Sequence, residues 1–465
     1  MTKIKFGTDG WRAIIAREYT EDNVKRVAEG TALWMKSKGY TKVVIGHDCR
    51  FAGEMFAHAT TRVMGLHGIK VHLAKGFVST PMVSLGVVKT KADLGVVITA
   101  SHNPPSYNGF KLKSNFGGPS VPKDIKAVED MIPDIPTSEE LPTLDAMFED
   151  GLLNYIDLEE MYIDHVKANF DLDAIRNSHV NLCYDAMYGA GMNVIKRLFP
   201  EATLLHCDHD PSFKGQAPEP IHRNLTELSE TIANDSNLNL GLSNDGDADR
   251  IGMHDEDGNF VDSHHLLLLL LLYMKKYKGE TGKVVVTFSV TDKMKKLAEH
   301  FGLEVIVTKI GFKYIAEIMI DTDVVVGGEE SGGLAVKGHI PERDGIWMGL
   351  LIMEFMAKTG KSIKELIQEI YDLVGPFAYD RDDLHIDNDK KWAIMDKCKA
   401  NGYTQIGENK IEKIETTDGY KFYLSDSEWV MIRPSGTEPV LRVYAQAPSM
   451  ERVREILADT HATLG

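Results

Sequence analysis

The sequence predicts an α/β protein: three related α/β domains with mixed, mainly parallel sheets, followed by a C-terminal α+β domain. Three observations predict it. An apolar strand, a polar loop, an amphipathic helix, a break and a second strand recur three times along the chain, which is the βαβ signature of a mainly parallel sheet. Beyond Gly375-Pro376 that pattern gives way to short strands separated by turns, the mark of an antiparallel sheet with helices. The chain has 465 residues, too many for one core at roughly 100–200 residues per domain.

The first copy is the strand from Lys42 to Gly46, a helix over Met55–Met64 and a strand from Ile69 to Leu73. The second starts at Val180, has a helix through Asn193–Leu198 and ends in a strand at Thr203–Leu205. The third runs from a strand at Lys283–Thr287 through a helix over Asp292–His300 to a strand at Leu303–Val307. The Pro- and acid-rich stretch from Ile132 to Pro142 reads as a linker, and the turn cluster His254–Gly258 as a second break. Expected domains are therefore residues 1–147, 148–253, 254–372 and 373–465. In the last, strands are expected at Ile411–Thr416, Tyr420–Leu424, Trp429–Arg433 and Leu441–Ala445, with a helix from Ser449 to Thr460.

Composition narrows the function classes. Net charge is -17, so the surface as a whole repels nucleic acid and anionic membranes, and an anionic substrate needs a locally basic pocket. The cysteines Cys49, Cys183, Cys207 and Cys398 form no CxxC pair, which argues against disulfide scaffolding and a structural zinc site and for a reducing compartment. No apolar region follows the N-terminal Met1–Phe6 segment, so no secretory signal is expected and the cytoplasm is the expected location. The run Leu266–Leu272, continuing to Met274, is too short to span a bilayer. It reads as a helix buried on most sides.

Four loops carry chemistry. Thr99-Ala100-Ser101-His102-Asn103-Pro104 follows a buried strand, at the carboxyl end where open α/β sheets place their ligands. It presents Ser101 as a phosphoryl carrier, with His102 and Lys111 to move protons and balance charge. Taken alone it also reads as a capped turn. Asp245-Gly246-Asp247-Ala248-Asp249-Arg250 sets three carboxylates at alternate positions. Their repulsion needs a cation, and carboxylate oxygens suit Mg²⁺. Arg250 stands beside them as a phosphate ligand. An EF-hand would need Gly where Arg250 stands, and helical flanks; a solvated acidic turn is the remaining alternative. Glu329 and Ser331, two apart in Gly327–Gly333, would share a face if extended and meet vicinal sugar hydroxyls. A Gly-rich turn with solvated glutamates is the plainer reading. Arg433-Pro434-Ser435-Gly436-Thr437 offers a guanidinium, hydroxyls and backbone N–H groups in a compact turn, a phosphate nest, with an ordinary structural turn as the alternative. Arg12, in the Gly7–Arg12 segment, adds another cation.

In this order these loops, with the Phe6–Arg12 segment, resemble the α-D-phosphohexomutase superfamily across essentially the whole chain. The resemblance implies four domains around a central cleft, the last a mobile lid. It implies Ser101 as phosphoserine, with Asp245, Asp247 and Asp249 holding Mg²⁺ together with an oxygen of that phosphate. Glu329 and Ser331 would read the sugar, and Arg433, Ser435, Gly436 and Thr437 would clamp the distal phosphate. Arg12, His102, Lys111 and Arg250 would surround the reacting group, with Lys313, His339 and Arg343 completing the substrate pocket. The Gly-Glu-Glu-Ser run and the later His339–Gly345 segment look more like phosphoglucomutases than like bifunctional phosphomannomutase/phosphoglucomutases.

The implied reaction interconverts hexose 1-phosphate and hexose 6-phosphate, most readily of glucose. It passes through a phosphoserine enzyme and a hexose 1,6-bisphosphate, and glucose 1,6-bisphosphate is the expected activator. A phosphosugar is the expected partner, with no nucleic acid and no membrane. The sequence sets no oligomeric state. A phosphomannomutase or bifunctional enzyme, a metal-dependent sugar phosphatase and a silent phosphosugar-binding protein are the alternatives.

Overall fold

The structure, a computed structural model, describes residues 3–7, 9–435 and 440–465. The chain divides into two compact units, Met1–Lys283 with Gly311–Leu366, and Val284–Ile310 with Ile367–Gly465.

The first unit contains two mixed sheets built on one plan. In the first, Tyr107–Ser114, Leu94–Ile98, Lys42–His47 and Lys70–Ala74 lie side by side in that order. The outer contact of Tyr107–Ser114 is antiparallel and the others are parallel. In the second, Ile251–His254, Leu240–Asn244, Leu182–Asp185 and Thr203–Leu205 repeat both the order and the sense. The chain leaves the third strand of each group, Lys42–His47 or Leu182–Asp185, to one side and comes back on its other side to form the second. That creates a topological switch point at the carboxyl ends of neighbouring strands, where such sheets bind ligands. Ser101 follows Leu94–Ile98 there, and Asp245 follows Leu240–Asn244 in the equivalent connection. The hairpin Val324–Gly328 and Leu334–Val336, also in this unit, is the third such antiparallel connection and carries Glu329.

The linker expected from Ile132 to Pro142 forms no helix or strand, but it is pinned down. The buried Arg26 donates from Nε to the Pro133 carbonyl at 2.7 Å, and Arg62 donates to Pro142 at 2.9 Å and Leu141 at 3.1 Å. After it, Leu153–Ile156 pairs in parallel with Lys70–Ala74, so the first sheet reaches past residue 147. The leucine run forms the helix Ser263–Leu272, with Leu266–Leu272 fully buried, capped by Asp262, whose side chain accepts from the His265 amide. Among the described residues no helix is long and apolar enough to cross a membrane.

In the second unit, Lys283–Thr287 and Val305–Thr308 pair in parallel around the helix Lys293–His300. A five-stranded antiparallel sheet follows, ordered Ala378–His385, Val440–Ala447, Trp429–Pro434, Tyr420–Tyr423, Lys413–Glu415. The helices Asn388–Lys399 and Met450–Leu464 pack on it through Ile394, Cys398, Val453 and Ile456. Ala378–His385 is absent from the sequence expectation. It is an edge strand carrying Asp380, Arg381, Asp382 and Asp383, and charges that protect an edge erase the alternation by which a strand is read.

Candidate active site

Ser101 lies beside the acidic loop. Its hydroxyl donates to Asp245 Oδ2 at 2.6 Å, and both residues are fully buried. The serine sits in a tight loop with φ of 53°, its amide donating to Thr99 Oγ1 at 2.9 Å and Asn103 N to the Ala100 carbonyl at 3.0 Å. The two loops touch closely enough that a Cβ on Gly246 would lie 2.5 Å from the Ser101 carbonyl oxygen, so only glycine fits. The acidic loop is held from several sides. The Asp247 carbonyl accepts from Thr80 N, the Gly246 carbonyl from Ala190 N and the Ala248 carbonyl from Gly345 N. The Asp245 carboxylate accepts from Arg250 N at 3.0 Å.

Three buried carboxylates on Asp245, Asp247 and Asp249 present oxygens within 4.8 Å of one another. Two cations partly offset them. Lys111 Nζ lies 2.7 Å from Asp247, 3.1 Å from Asp249 and 2.8 Å from Asp9. Arg343 Nη2 lies 2.5 Å from Asp9 and 2.6 Å from Asp249. Arg12 adds a third cation 3.4 Å from Asp9, so four carboxylates face three cations, a remaining deficit that a bound cation would offset. Asp247 Oδ1 and Asp249 Oδ1 are buried with no hydrogen-bond partner. Free oxygens on adjacent carboxylates are the donor set a Mg²⁺ ion takes, so the residues fit that ion. Burial and the repulsion of Asp247 and Asp249 push the Asp245 carboxyl well above its usual range.

His102 Nδ1 is 3.4 Å from Ser101 Oγ. Burial, together with Arg250, Arg12, Lys111 and Arg50, holds its imidazole well below the usual value, hence neutral at pH 7. Lys111 is pushed the other way. Although burial opposes its charge, Asp247, Asp249 and Asp9 raise it above the ordinary lysine value. Those three carboxylates favour its ammonium form, which suits the charge-balancing part of its expected role. Arg12 donates to Asn103 Oδ1 at 2.8 Å, at the rim of the serine loop.

The Gly-rich loop differs from its expectation. The chain turns after Gly328, with Glu329 N donating to the Gly333 carbonyl and Gly332 at φ of 88°, so Glu329 and Ser331 do not share the face of an extended strand. Ser331 is half-buried in the turn. Glu329 is buried, accepts from Gly311 N at 2.9 Å and lies 4.0 Å from Arg343. Burial raises its carboxyl to about 7, against the pull of Arg343 and Arg250 and with a small push from Glu330 and Asp9. A carboxyl raised on folding stabilises the protein below its unfolded value and loses that contribution as pH rises to 7. Glu329→Gln is therefore expected to flatten the fall in Tm between pH 4.5 and 7, by about 3 kcal/mol of relative stability. Parallel Tm–pH curves for variant and wild type would refute it.

Two residues expected in the substrate pocket, His339 and Arg343, are paired with buried carboxylates. His339 is buried 2.9 Å from Asp344, stacked on Trp347 with centroids 3.9 Å apart. Asp344 caps the helix Gly345–Thr359 through Trp347 N and accepts from Tyr162; His339 completes that helix start. The Arg343 guanidinium is committed to Asp9 and Asp249. Lys313 lines a cavity of about 190 Å³ with Gly7, Asp9 and Gly10. In the second unit, Arg433 Nε lies 3.3 Å from Asp418, and Ser435 N donates to the Val440 carbonyl at 2.9 Å. Gly436 and Thr437 lie outside the described residues.

Sequence reasoning missed Asp9, Asp48, Arg50 and Thr80. Thr80 Oγ1 donates to Asp247 Oδ2 at 2.5 Å, and Thr99 Oγ1 to Asp48 Oδ2 at 2.5 Å. The signal for Asp48 and Arg50 was present: a charged pair directly after the strand Lys42–His47, at the same switch point as Ser101.

A serine hydrogen-bonded to an acidic metal-type loop, with cations gathered around both, has the parts that phosphoryl transfer uses. The chain belongs to the phosphoglucomutase/phosphomannomutase family: models of its alpha/beta/alpha domains I, II and III match residues 3–139, 160–258 and 262–374, and its C-terminal domain matches 384–462. It is an intramolecular phosphotransferase. The chain is 32% identical over 459 residues to a phosphoglucomutase/phosphomannomutase of Thermococcus kodakarensis, covering 97% of this chain and 96% of that protein. It is 33% identical over 431 residues to a phosphoglucosamine mutase of Methanococcus maripaludis, covering 90% and 91%. Among solved structures, a Thermus thermophilus protein assigned as a phosphomannomutase matches at 34% identity with a TM-score of 0.88, covering 100% of this chain and 99% of that one.

Proposed function

We propose that this phosphomutase interconverts glucose 1-phosphate and glucose 6-phosphate through phosphorylated Ser101 and a glucose 1,6-bisphosphate intermediate. The observation that carries the reading is the 2.6 Å contact of the Ser101 hydroxyl with Asp245, in a buried setting ringed by Lys111, Arg12 and Arg250. The free hydroxyl of the hexose phosphate attacks the phosphorus on Ser101. The bond from phosphorus to Oγ breaks as the new P–O bond forms, giving the bisphosphate. The hydroxyl proton passes by way of neutral His102 to Oγ. The reverse transfer then returns the other phosphoryl group to Ser101 and releases the isomer. Asp245, Asp247 and Asp249 would hold Mg²⁺, which when bound neutralises charge on phosphoryl oxygens. Arg433 and Ser435 are read as phosphate ligands and Glu329, Ser331 and Lys313 as sugar-side groups. The free, buried cysteines Cys49, Cys183, Cys207 and Cys398 support a reducing compartment, the cytoplasm.

A glucosamine phosphate is the second reading, favoured by the Methanococcus maripaludis relative. The test compares kcat/KM for glucose, mannose, glucosamine and N-acetylglucosamine 1-phosphates with Mg²⁺ and trace bisphosphate. Glucose is expected to lead mannose by about 10-fold or more, within what one hydroxyl contact can discriminate. A lead for glucosamine would replace glucose as the substrate. Release of free phosphate without any isomer would overturn the mutase mechanism.

A further inference from the structure

Directly after the strand Lys42–His47 the chain buries a complete guanidinium under the serine loop. Arg50 is 3% exposed. Its Nη2 donates to the carbonyls of Ser101 and Asn103, each at 2.6 Å. Its Nη1 donates to those of Pro104 at 2.9 Å and Tyr107 at 3.0 Å. Nε faces Asp48 at 3.3 Å, and Asp48 in turn accepts from Thr99, the residue that binds the Ser101 amide. The fork thus gathers four carbonyl oxygens from seven residues of one irregular loop, a task for a planar, divergent donor set that an ammonium cannot copy.

A second segment closes over it. The Phe213 ring covers the guanidinium at 5.0 Å. Phe213 is 1% exposed, and both it and Lys214 adopt left-handed φ angles, 47° and 50°. A left-handed phenylalanine is a costly backbone state that persists only when its surroundings impose it, and such outliers collect at functional sites. The segment lies between the strand Thr203–Leu205 and the helix Thr226–Asn234, in the part of the chain whose sheet presents the acidic loop.

We propose that Arg50, capped by Phe213, is a positioning residue for the phosphoryl-carrying serine: it fixes the carbonyls of residues 101–107 and so sets the left-handed turn that aims Ser101 Oγ at Asp245. This rests on the reading of Ser101 as the phosphoryl carrier. Buried, with both Nη groups committed to loop carbonyls, Arg50 is placed to act through the loop. Its loss therefore lowers the rate of transfer more than it lowers substrate affinity.

The experiment measures kcat, KM and Tm for Arg50→Lys, Arg50→Ala and Phe213→Leu in the full chain. Arg50→Lys keeps the charge and loses the fork; its kcat is expected to fall about 100-fold with KM within about 3-fold, the scale of an ångström-level misplacement. Arg50→Ala is expected to lose more, and added guanidinium ion to restore kcat at least about 10-fold, a recovery that lost stability alone does not give. Phe213→Leu is expected to lower kcat about 5-fold, since Leu still covers the guanidinium but gives up part of the cation–π attraction. Full kcat in folded Arg50→Lys overturns the proposal, as does an Arg50→Ala loss that follows the unfolded fraction and ignores guanidinium. If neither Arg50 variant folds, Phe213→Leu decides: unchanged kcat overturns the positioning role. A wild type inactive on every hexose phosphate overturns the functional reading and the positioning role together, whereas an active wild type matched by Arg50→Lys overturns the positioning role alone.

Discussion

Ser101→Ala is expected to lower turnover of hexose 1-phosphate by at least about 10⁴-fold, since it removes the group that carries the phosphoryl moiety and not merely one that assists it. The fold should survive. The lost hydroxyl makes one side-chain donation, to Asp245, worth about 1 kcal/mol net, and the loop keeps its backbone bonds through Thr99 and Arg50. Mass spectrometry gives the second arm. Wild-type protein incubated with glucose 1,6-bisphosphate should gain a phosphoryl group on the peptide containing residue 101, and the variant should gain none. Undiminished activity, or a label on another peptide, would remove Ser101 from the mechanism.

Asp247→Asn is expected to cost about 10³-fold in kcat, the scale of charge stabilisation supplied at a phosphoryl group by a bound divalent ion and its clamp. Asp247 joins the acidic loop to the rest of the site: one oxygen accepts from Lys111 and Thr80, and the other has no partner. An amide there removes one of the carboxylates that outnumber Lys111 and Arg343. Activity is not the sole readout. Millimolar Mg²⁺ should raise the Tm of wild-type protein through preferential binding to the folded state, and the variant should respond less. Chelation should abolish turnover, and added Mg²⁺ should restore it. A wild-type Tm indifferent to Mg²⁺, with Asp247→Asn still active, would show that the three carboxylates serve some other purpose.

Much of this architecture was readable because its signals are local. Ser101 and the three aspartates announce themselves within a few residues each, at the carboxyl ends of strands that apolar runs make plain. The leucine helix was legible for the same reason: Leu266–Leu272 leaves no polar face to expose. What escaped depends on distant partners. Nothing near Arg343 reveals that Asp9 and Asp249 occupy it, and nothing near His339 reveals Trp347 beneath its ring and Asp344 at its edge. The same-face argument for Glu329 and Ser331 assumed a strand where the chain turns. The proline-rich stretch looked like a tether because composition cannot show that Arg26 and Arg62 hold its carbonyls. Ala378–His385 was hidden by its own charges.

The serine, the aspartates and Glu329 each sit where a strand hands over to an antiparallel neighbour, after Leu94–Ile98, Leu240–Asn244 and Val324–Gly328. Had one primordial module been copied, a single bend would have been inherited in triplicate and each heir given its own trade: a nucleophile in one, an acidic nest in the next, a lone carboxyl in the last. Specialisation by duplication needs no new backbone, only fresh side chains on an old corner. It follows that grafting should work best between corresponding corners, because the scaffold beneath each already has the right shape.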